Sequence, residues 1–447
     1  MGYQPNRRQF LKTAAATGVG YWVAGGVQAR ESRSPNERIG MASVGVDGKG
    51  QEDSGDAARS GNMVAICDVD DVKLAAAARR FPKAKQFNDF RKMLDEMGKS
   101  IDAVTVSTPD HNHAPAGLMA MRMRKHCFCQ KPMTRTIYEA RLMGQVARQQ
   151  KLATQMGNQY TAHEPARKAA AQVRAGMLGT VKEVHVWTNR PIWPQGGERP
   201  PAVDPPANLH WDLWLGPAPV RPYAKGAYHP FDWRGWWDFG SGALGDMACH
   251  TVNMPFMALN LRDPISVQAV TSGHNKDSFP KWSIITFEFP ALGDRPALKM
   301  VWYDGGKKVS PDVIGGKSPW ISGSAIVGDK ATMYAPGDYA EREIEIIGEV
   351  TAPKVEYPRS PGHFQEWIRA IRGGVPAMSN FPDYAGPLTE TILLGNLAVW
   401  VAAGEGPGKE CQGEKVMWDA KNMKSTNIEG LETIVKPVYR DGYTLDA

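Results

Sequence analysis

The sequence predicts an α/β protein of two domains, and three observations carry that reading. Its 447 residues exceed what one compact core usually holds. Between residues 38 and 158 the pattern strand, tip, helix recurs, which implies a mostly parallel sheet with ligands at the C-terminal strand ends. Beyond residue 181, alternating strand-like segments return, interrupted by a long stretch rich in Pro and aromatic residues. Hydrophobic residues make up 42% of the chain, enough for a sizeable core.

The N-terminus reads as an address. Arg7-Arg8-Gln9-Phe10-Leu11-Lys12 precedes a small, mildly apolar run over residues 13–27, and Val27-Gln28-Ala29 reads as a cleavage site. This resembles a twin-arginine export signal over residues 1–29, followed by a flexible leader over 30–37, so a periplasmic or otherwise exported protein is expected. An ordinary amphipathic helix is the alternative. The run is too short and Gly-rich for a comfortable membrane anchor, so no stable membrane insertion of the mature protein is expected. The 53 basic and 47 acidic residues are spread along the chain, with no basic block to track a phosphate backbone; no nucleic-acid partner is expected. Cys67, Cys127, Cys129, Cys249 and Cys411 have no regular spacing and read as free thiols, Cys127 and Cys129 sharing one strand face.

The first domain spans residues 38–157. Residues 38–44 form a strand that runs into a turn with Gly45, Gly48 and Gly50. Glycines there let backbone N–H groups approach a pyrophosphate, and Asp47 stands where a second glycine is usual, where it could crowd the phosphates unless it points away. The strand at 63–67 ends at Asp68, eighteen residues beyond Gly50, placed to accept hydrogen bonds from ribose hydroxyls and to repel a 2′-phosphate; this favours NAD over NADP. Helices follow at 72–80 and 88–97. A strand at 101–107 ends at Thr108-Pro109, and Asp110-His111-Asn112-His113 leads into a helix at 114–123. The strand at 125–129 carries Gln130-Lys131-Pro132 at its tip, before a helix at 134–149 and a last strand near 153–158. A lysine at such a tip can polarise a reacting oxygen, although a solvated turn lysine is the plain alternative.

The second domain spans residues 158–447. A strand at 181–187 precedes the irregular stretch 189–233, long enough to suggest a site. Trp193, Tyr228, Arg234 and Trp236 are its candidates for substrate contact, since flat aromatic faces can stack on sugar rings; pinning the loop to the core is the plainer role for most of its aromatics. On a helix beginning near Ala243, Asp246 and His250 are four residues apart and share a face. Spacing places no third strong ligand beside them, so no metal is expected. Strands follow at 265–271, 282–289, 298–303, 325–328 and 331–334, with helices at 362–371 and 387–402.

Asp110-His111-Asn112-His113, Gln130-Lys131-Pro132 and Gly245-Asp246-Met247-Ala248-Cys249-His250 together resemble the Gfo/Idh/MocA oxidoreductase family, in an exported branch similar to dehydrogenases of planctomycetes. The resemblance implies an N-terminal Rossmann domain and a C-terminal α/β domain with a large, mostly antiparallel sheet, one late helix packing back on the first domain. It implies that Lys131, Asp246 and His250 are catalytic, with Gln130 replacing the usual glutamate. It implies that Ser107, Thr108, Asn112 and His113 line the cofactor path, that Gln130 and Asn158 lie near the nicotinamide, and that Asn253 sits at the substrate rim. A homodimer or homotetramer is implied too.

The expected activity is NAD-dependent oxidation or reduction of a hydroxyl on a sugar, polyol or glycoside, with tightly held cofactor. His250 would take the hydroxyl proton, Lys131 would bind the developing oxyanion, and Asp246 would orient His250 or the sugar. The alternatives are a redox-assisted glycoside hydrolase and a non-catalytic sugar- or cofactor-binding protein.

Overall fold

β1 (Gly40–Val44) and β4 (Ala103–Val106) are short apolar runs with every residue buried, as strands covered on both faces must be. They lie at the centre of a computed structural model that describes residues 38–445; the expected signal segment and leader lie outside these. β2 (Asn62–Cys67), β3 (Lys85–Phe87), β5 (His126–Cys129) and β6 (Thr154–Met156) complete a six-stranded sheet in the order β3-β2-β1-β4-β5-β6. Every pairing in it is parallel. The order reverses direction between β1 and β4, and that switch point opens a crevice at the C-terminal strand ends.

Capping signals set the helices that frame the crevice. Asp70 accepts a hydrogen bond from the Val72 N–H, which starts helix Asp71–Arg80. Thr136 and Glu139 form a reciprocal capping box that starts helix Ile137–Gln149 soon after the β5 tip.

The second sheet follows the order β13-β12-β11-β7-β10-β9-β8-β15-β16, with β14 paired to β8; β13 (Glu345–Ile347), β14 (Cys411–Gln412), β15 (Val416–Asp419) and β16 (Lys424–Ser425) are its short outer strands. Its centre is built from β7 (Val181–Trp187), β8 (Ser266–Thr271), β9 (Ser283–Phe289), β10 (Leu298–Tyr303), β11 (Gly323–Gly328) and β12 (Thr332–Pro336). β7 pairs parallel with β10, and the other pairings are antiparallel. Ser283, Ile285, Phe287 and Phe289 of β9 are buried in alternation, the mark of one face turned to a core. Helix Gly386–Val401 is buried along nearly its whole length and packs against both β8 and helix Ile137–Gln149, so one hydrophobic core runs through both sheets.

Helix His363–Ile371 returns to the first domain. Phe128 on β5 packs 5.1 Å from Phe364 and 5.6 Å from Trp367, and the Trp367 indole donates to the Ala153 carbonyl at 3.0 Å. No helix among the described residues is long and apolar enough to cross a membrane.

Residues 189–240 are largely irregular and carry their own aromatic core of Trp214, Tyr228, Trp236 and Phe239. Arg221 ties this insertion to Asp277 at 2.7 Å and braces it internally through Asp238 at 2.6 Å.

Candidate active site

The glycine turn after β1 makes a cradle. Gly45 has φ +79°, and a Cβ there would lie 2.5 Å from the Ser107 carbonyl oxygen; a Cβ on Gly50 would lie 2.2 Å from the Gly45 carbonyl oxygen. Only glycine fits at either place. Gly48 has φ +55° and open space around it. It precedes helix Lys49–Ser60 with no side chain capping it; the Gly50 and Gln51 N–H groups turn back to the Asp47 and Gly48 carbonyls, which leaves those of Gly48 and Lys49 to an anion. The cradle therefore fits a dinucleotide pyrophosphate.

Asp68, at the β2 tip, accepts from the Val46 N–H at 3.1 Å and the Asp70 N–H at 3.0 Å. Burial raises its pKa against those bonds. Asp47 is half-exposed and lies 3.2 Å from the Lys73 ammonium, so its charge is paired rather than aimed alone at the phosphates. Both aspartates line a cleft of about 460 Å³, together with Ser107, Thr108, Asn112, Gln130 and Lys131. Below its floor, buried Asp53 accepts from Ser107 Oγ at 2.7 Å and Gln130 Nε2 at 2.9 Å.

The insertion forms the opposite wall, through Trp214, His229, Phe231 and Trp233. It is tied down at the β2 tip. The Asp71 N–H donates to the Asn208 carbonyl and the His210 N–H to the Val69 carbonyl, each at 2.9 Å. Asn208 Nδ2 donates to Asp70 Oδ1 at 2.8 Å.

At the part of the cleft lined by Lys131, the Lys131 ammonium donates to Asp246 Oδ1 and to the Asp246 carbonyl, both at 2.9 Å. Arg234 Nε lies 3.2 Å from the same Oδ1, and Arg190 Nε lies 3.9 Å from Oδ2. Burial would raise the Asp246 pKa, but Lys131 and Arg234 outweigh it and hold the carboxyl well below its ordinary range. Burial would lower the Lys131 pKa, but Asp246 outweighs it and raises it, so the lysine is an ammonium.

His250 Nδ1 is 2.6 Å from Asn158 Oδ1, while Asn158 Nδ2 donates to the Cys249 carbonyl. The second bond fixes which way the amide points, so Nδ1 carries the proton and Nε2 is the free base. Burial, then the Lys131 charge, pushes the His250 pKa well below its ordinary value, leaving a neutral imidazole. Tyr339 meets its ring edge-on at 4.6 Å.

Several expected positions fall elsewhere. The hydrogen bond that orients His250 comes from Asn158, while the Asp246 carboxylate is engaged by Lys131 and Arg234. Asn158 is thus a support behind the histidine rather than part of the cleft wall. His113 is buried with its ring nitrogens 2.8 Å from the Pro132 and Thr108 carbonyls, tying two strand tips together beneath the cleft. Tyr228 and Trp236 belong to the insertion's core, and Trp193 is buried with its indole donating to Gln195 at 2.9 Å; aromatic packing has consumed the faces expected to meet a sugar. Asn253 bonds Thr161 and the Tyr384 hydroxyl rather than facing a rim. Of the four insertion candidates, Arg234 lines the cleft.

Sequence reasoning missed Asp53, three residues beyond the glycine turn, and Arg190, Asp338 and Tyr339, whose neighbours along the chain carry no motif. It quoted Asp110 without assigning it a role. Asp110 is buried on the cleft wall, accepts from Ser241 Oγ at 2.6 Å, and is pushed by burial up to about 7.

Comparison with known proteins agrees with this geometry. Residues 39–158 match the oxidoreductase family's NAD-binding Rossmann fold (GFO_IDH_MocA), and residues 164–295 match its C-terminal alpha/beta domain. A levoglucosan dehydrogenase of Pseudarthrobacter phenanthrenivorans is 25% identical over 189 residues, 42% of this chain and 40% of that one. A glycosyl hydrolase family 109 protein of Shewanella pealeana is 27% identical over 179 residues, covering 34% of this chain and 39% of that one. The chain thus spans well under two thirds of each of these relatives. Among solved structures, the WlbA dehydrogenase from Bordetella pertussis, in complex with NADH and UDP-GlcNAcA, aligns with TM-score 0.58 at 16% identity over 86% of this chain and 99% of that one. The aldose-aldose oxidoreductase from Caulobacter crescentus aligns with TM-score 0.57 at 16% identity over 86% and 100%. At these identities the likeness is one of fold. The two family matches cover more than half of the chain and meet at the cleft holding Lys131, so the chain belongs to the Gfo/Idh/MocA oxidoreductase family, with NAD as its cofactor.

Proposed function

We propose that the protein oxidises or reduces a hydroxyl-bearing carbon of a sugar, polyol or glycoside, and that it holds its NAD tightly. The observation that carries this is the pairing of a fixed ammonium, Lys131, with a neutral imidazole, His250, whose Nε2 is free to take a proton. NAD, when bound, supplies the acceptor or donor of hydride. His250 Nε2 accepts the hydroxyl proton, and Lys131 donates a hydrogen bond to the oxygen as negative charge develops on it. Asp246 keeps Lys131 charged and in place. Asp68 accepts from the ribose hydroxyls, and its charge disfavours a 2′-phosphate.

The contacts between residues 208–210 and 69–71 support tight retention, because they close the insertion over the cleft beside Asp68. Residues 7–12 support export by the twin-arginine route, and a folded protein exported with its cofactor must regenerate it in place. The family resemblance supports a homodimer or homotetramer. A second reading, net glycoside hydrolysis through transient oxidation, is favoured by the likeness to the family 109 glycosyl hydrolase.

The test is to purify the protein without added cofactor, identify the dinucleotide released on denaturation, and incubate the native protein with sugars and glycosides. Bound NAD that becomes NADH supports net oxidation. Glycoside cleavage without accumulated NADH supports the hydrolase reading. Bound NAD with no reaction in any member of a broad panel counts against both.

A further inference from the structure

Three neighbouring strand tips of the first sheet each send one side chain to the same helix, Gly242–Thr251, which carries Asp246 and His250. Beyond β4, Asp110 accepts from the Ser241 hydroxyl at 2.6 Å, at the position just before the helix. Beyond β5, Lys131 donates to Asp246 at 2.9 Å. Beyond β6, Asn158 meets His250 and donates to the Cys249 carbonyl. The strand order β4-β5-β6 is also the order of the contacts along the helix, at residue 241, then 246, then 249 and 250. Neighbouring strands stand about 4.8 Å apart and a helix rises about 1.5 Å per residue. Steps of four or five residues therefore carry the helix obliquely across the strand ends, with one contact to each.

Lys131 and Asn158 carry roles in proton and charge transfer, and Asp110 is the contact left over. A serine at the start of a helix ordinarily accepts from an N–H of its own first turn, which stabilises the helix. Ser241 makes no such bond; its hydroxyl turns to Asp110 instead. The helix forgoes a local stabiliser for a contact to the sheet whose tips line the cleft, a departure expected where position matters more than stability. Asp110 is 3% and Ser241 2% exposed, so water does not readily replace either partner. The Ser241 carbonyl is held too, by Asn396 Nδ2 at 2.9 Å and the Gly245 N–H at 3.1 Å. A Cβ on Gly245 would lie 2.0 Å from Ser241 Oγ, so the hydroxyl is packed against the residue that precedes Asp246. A shift of Ser241 is thereby passed to Asp246. Arg190 does not take over the hold on Asp246: it stands between Asp246 and Asp338 at 3.9 and 3.6 Å, beyond a hydrogen bond to either. The residues next to Asp110 face the same way. The His111 N–H donates to the Phe239 carbonyl at 3.2 Å, and Asn112 Nδ2 donates to the Trp214 carbonyl at 3.1 Å.

We infer that Asp110 is a positioning residue for catalysis: through Ser241 it fixes the start of the helix that carries Asp246 and His250, and so keeps the proton acceptor and the Lys131 ammonium in register with the strand tips that hold the cofactor. In this role it acts through Ser241 rather than on the reacting atoms. The inference deepens the sugar-oxidoreductase reading and rests on it for the roles of His250 and Lys131. Misplacing catalytic groups lowers turnover without weakening the binding of substrate, so the effect falls on kcat more than on KM.

The experiment uses the cofactor-loaded full chain as wild type, Asp110→Ala, Ser241→Ala, the double alanine variant and Asp110→Asn. Rates of NADH formation or glycoside cleavage, with a substrate identified by the sugar panel, give kcat and KM. Nucleotide released on denaturation gives cofactor content, and native-state hydrogen exchange reports the opening of residues 242–251. Each single alanine variant is expected to lower kcat roughly ten- to a hundredfold, with KM changed by less than about threefold and dinucleotide content unchanged. Both remove the same bond, so the double variant should be no slower than the slower single one. Asp110→Asn should regain most of the rate, because its Oδ1 still accepts from the Ser241 hydroxyl. Exchange over residues 242–251 should be faster in the alanine variants and near wild type in Asp110→Asn. Unchanged kcat in Ser241→Ala, additive losses in the double variant, an Asp110→Asn as slow as Asp110→Ala, or loss of dinucleotide from Ser241→Ala overturns the assignment. Ser241→Ala removes a single oxygen, so it decides the matter even if Asp110→Ala fails to fold. If wild type turns over no sugar or glycoside, faster exchange confined to residues 242–251 in Ser241→Ala upholds the hold on the helix while removing the oxidoreductase reading; unchanged exchange overturns the hold itself.

Discussion

Removing the Asn158 amide tests whether His250 is the base. In Asn158→Ala the imidazole loses its 2.6 Å contact to Asn158 Oδ1, and the Cys249 carbonyl loses the Asn158 Nδ2 donor. Asn158 is fully buried and His250 is 3% exposed, so water does not readily replace either partner. A buried group left unpaired costs about 1–3 kcal/mol. The imidazole avoids that cost by moving its proton to Nε2, which abolishes the base, or by turning away from the substrate. With each 1.36 kcal/mol worth tenfold in rate, kcat should fall roughly five- to 150-fold. Sugar KM should change little. Oxidation requires neutral His250, so its rate is lost as pH falls through the histidine pKa. Burial and then Lys131 depress that pKa, so the wild-type rate should stay level from neutral pH to well below 6.5. Asn158→Asp keeps an acceptor for Nδ1–H and adds a negative charge, which raises the histidine pKa and moves the acid limb upward. Initial rates of NADH formation across pH, with a sugar identified by the substrate panel, give both readouts. An unchanged kcat in Asn158→Ala, or coincident acid limbs in wild type and Asn158→Asp, would refute the role given to His250.

Asp246→Asn strips the Lys131 ammonium of its carboxylate and should cost about 3–5 kcal/mol of stability, measured by urea unfolding. Asp246 has a depressed pKa, so its contribution is present above the unfolded carboxyl range and is lost as pH falls through the folded value. Lys131 has a raised pKa, so its contribution holds below the unfolded lysine value and is lost as pH rises through the folded one. The difference between wild type and variant should therefore be flat through neutral pH and shrink only toward the extremes. Gly50→Ala places a Cβ 2.2 Å from a backbone carbonyl that has no freedom to yield, so it should abolish dinucleotide retention, checked by quantifying nucleotide released on denaturation. Asp68→Ala removes the repulsion of a 2′-phosphate and should reduce the preference for NAD over NADP by on the order of tenfold, read from dinucleotide affinities.

Much of the first domain was legible because each strand is a short apolar run closed by a residue with a conformational or chemical role. Gly45 follows β1, Asp68 follows β2, Pro109 closes the segment after β4, and Gln130 follows β5. β3 was not legible: two of its three residues are exposed, so no burial pattern marks it. Nor was the parallel pairing of β7 with β10, a long-range contact that no local spacing encodes. Lys131, Asp246 and His250 stood in motifs. Arg190, Asp338 and Tyr339 did not, because only the closing of the second sheet brings their loops to the helix that holds His250. The insertion's tryptophans misled for a different reason. A ring that stacks on a sugar and a ring that fills a core look identical in sequence, and Tyr228 is edge-on to both Trp236 and Phe239, at 5.2 and 5.1 Å.

The two motif departures become intelligible once their spatial partners are known. Gln130 stands where the family usually has glutamate. Its Nε2 donates to Asp53 at 2.9 Å, and its Oε1 accepts from the Lys131 N–H at 3.2 Å. A glutamate at 130 would set a second carboxylate against buried Asp53, and one of the two would have to hold a proton. The amide resolves that conflict by supplying the donor Asp53 needs, so a carboxylate is retained one layer deeper than the strand tip. Asp47 is the same argument with the sign reversed. Its charge would oppose a pyrophosphate, yet Lys73, from helix Asp71–Arg80, lies 3.2 Å away and lines the same cleft. A motif read along the chain registers each change as a loss. In three dimensions each belongs to a pair, Gln130 with Asp53 and Asp47 with Lys73, and the pair leaves the strand tip and the phosphate cradle able to do what the unaltered motif does.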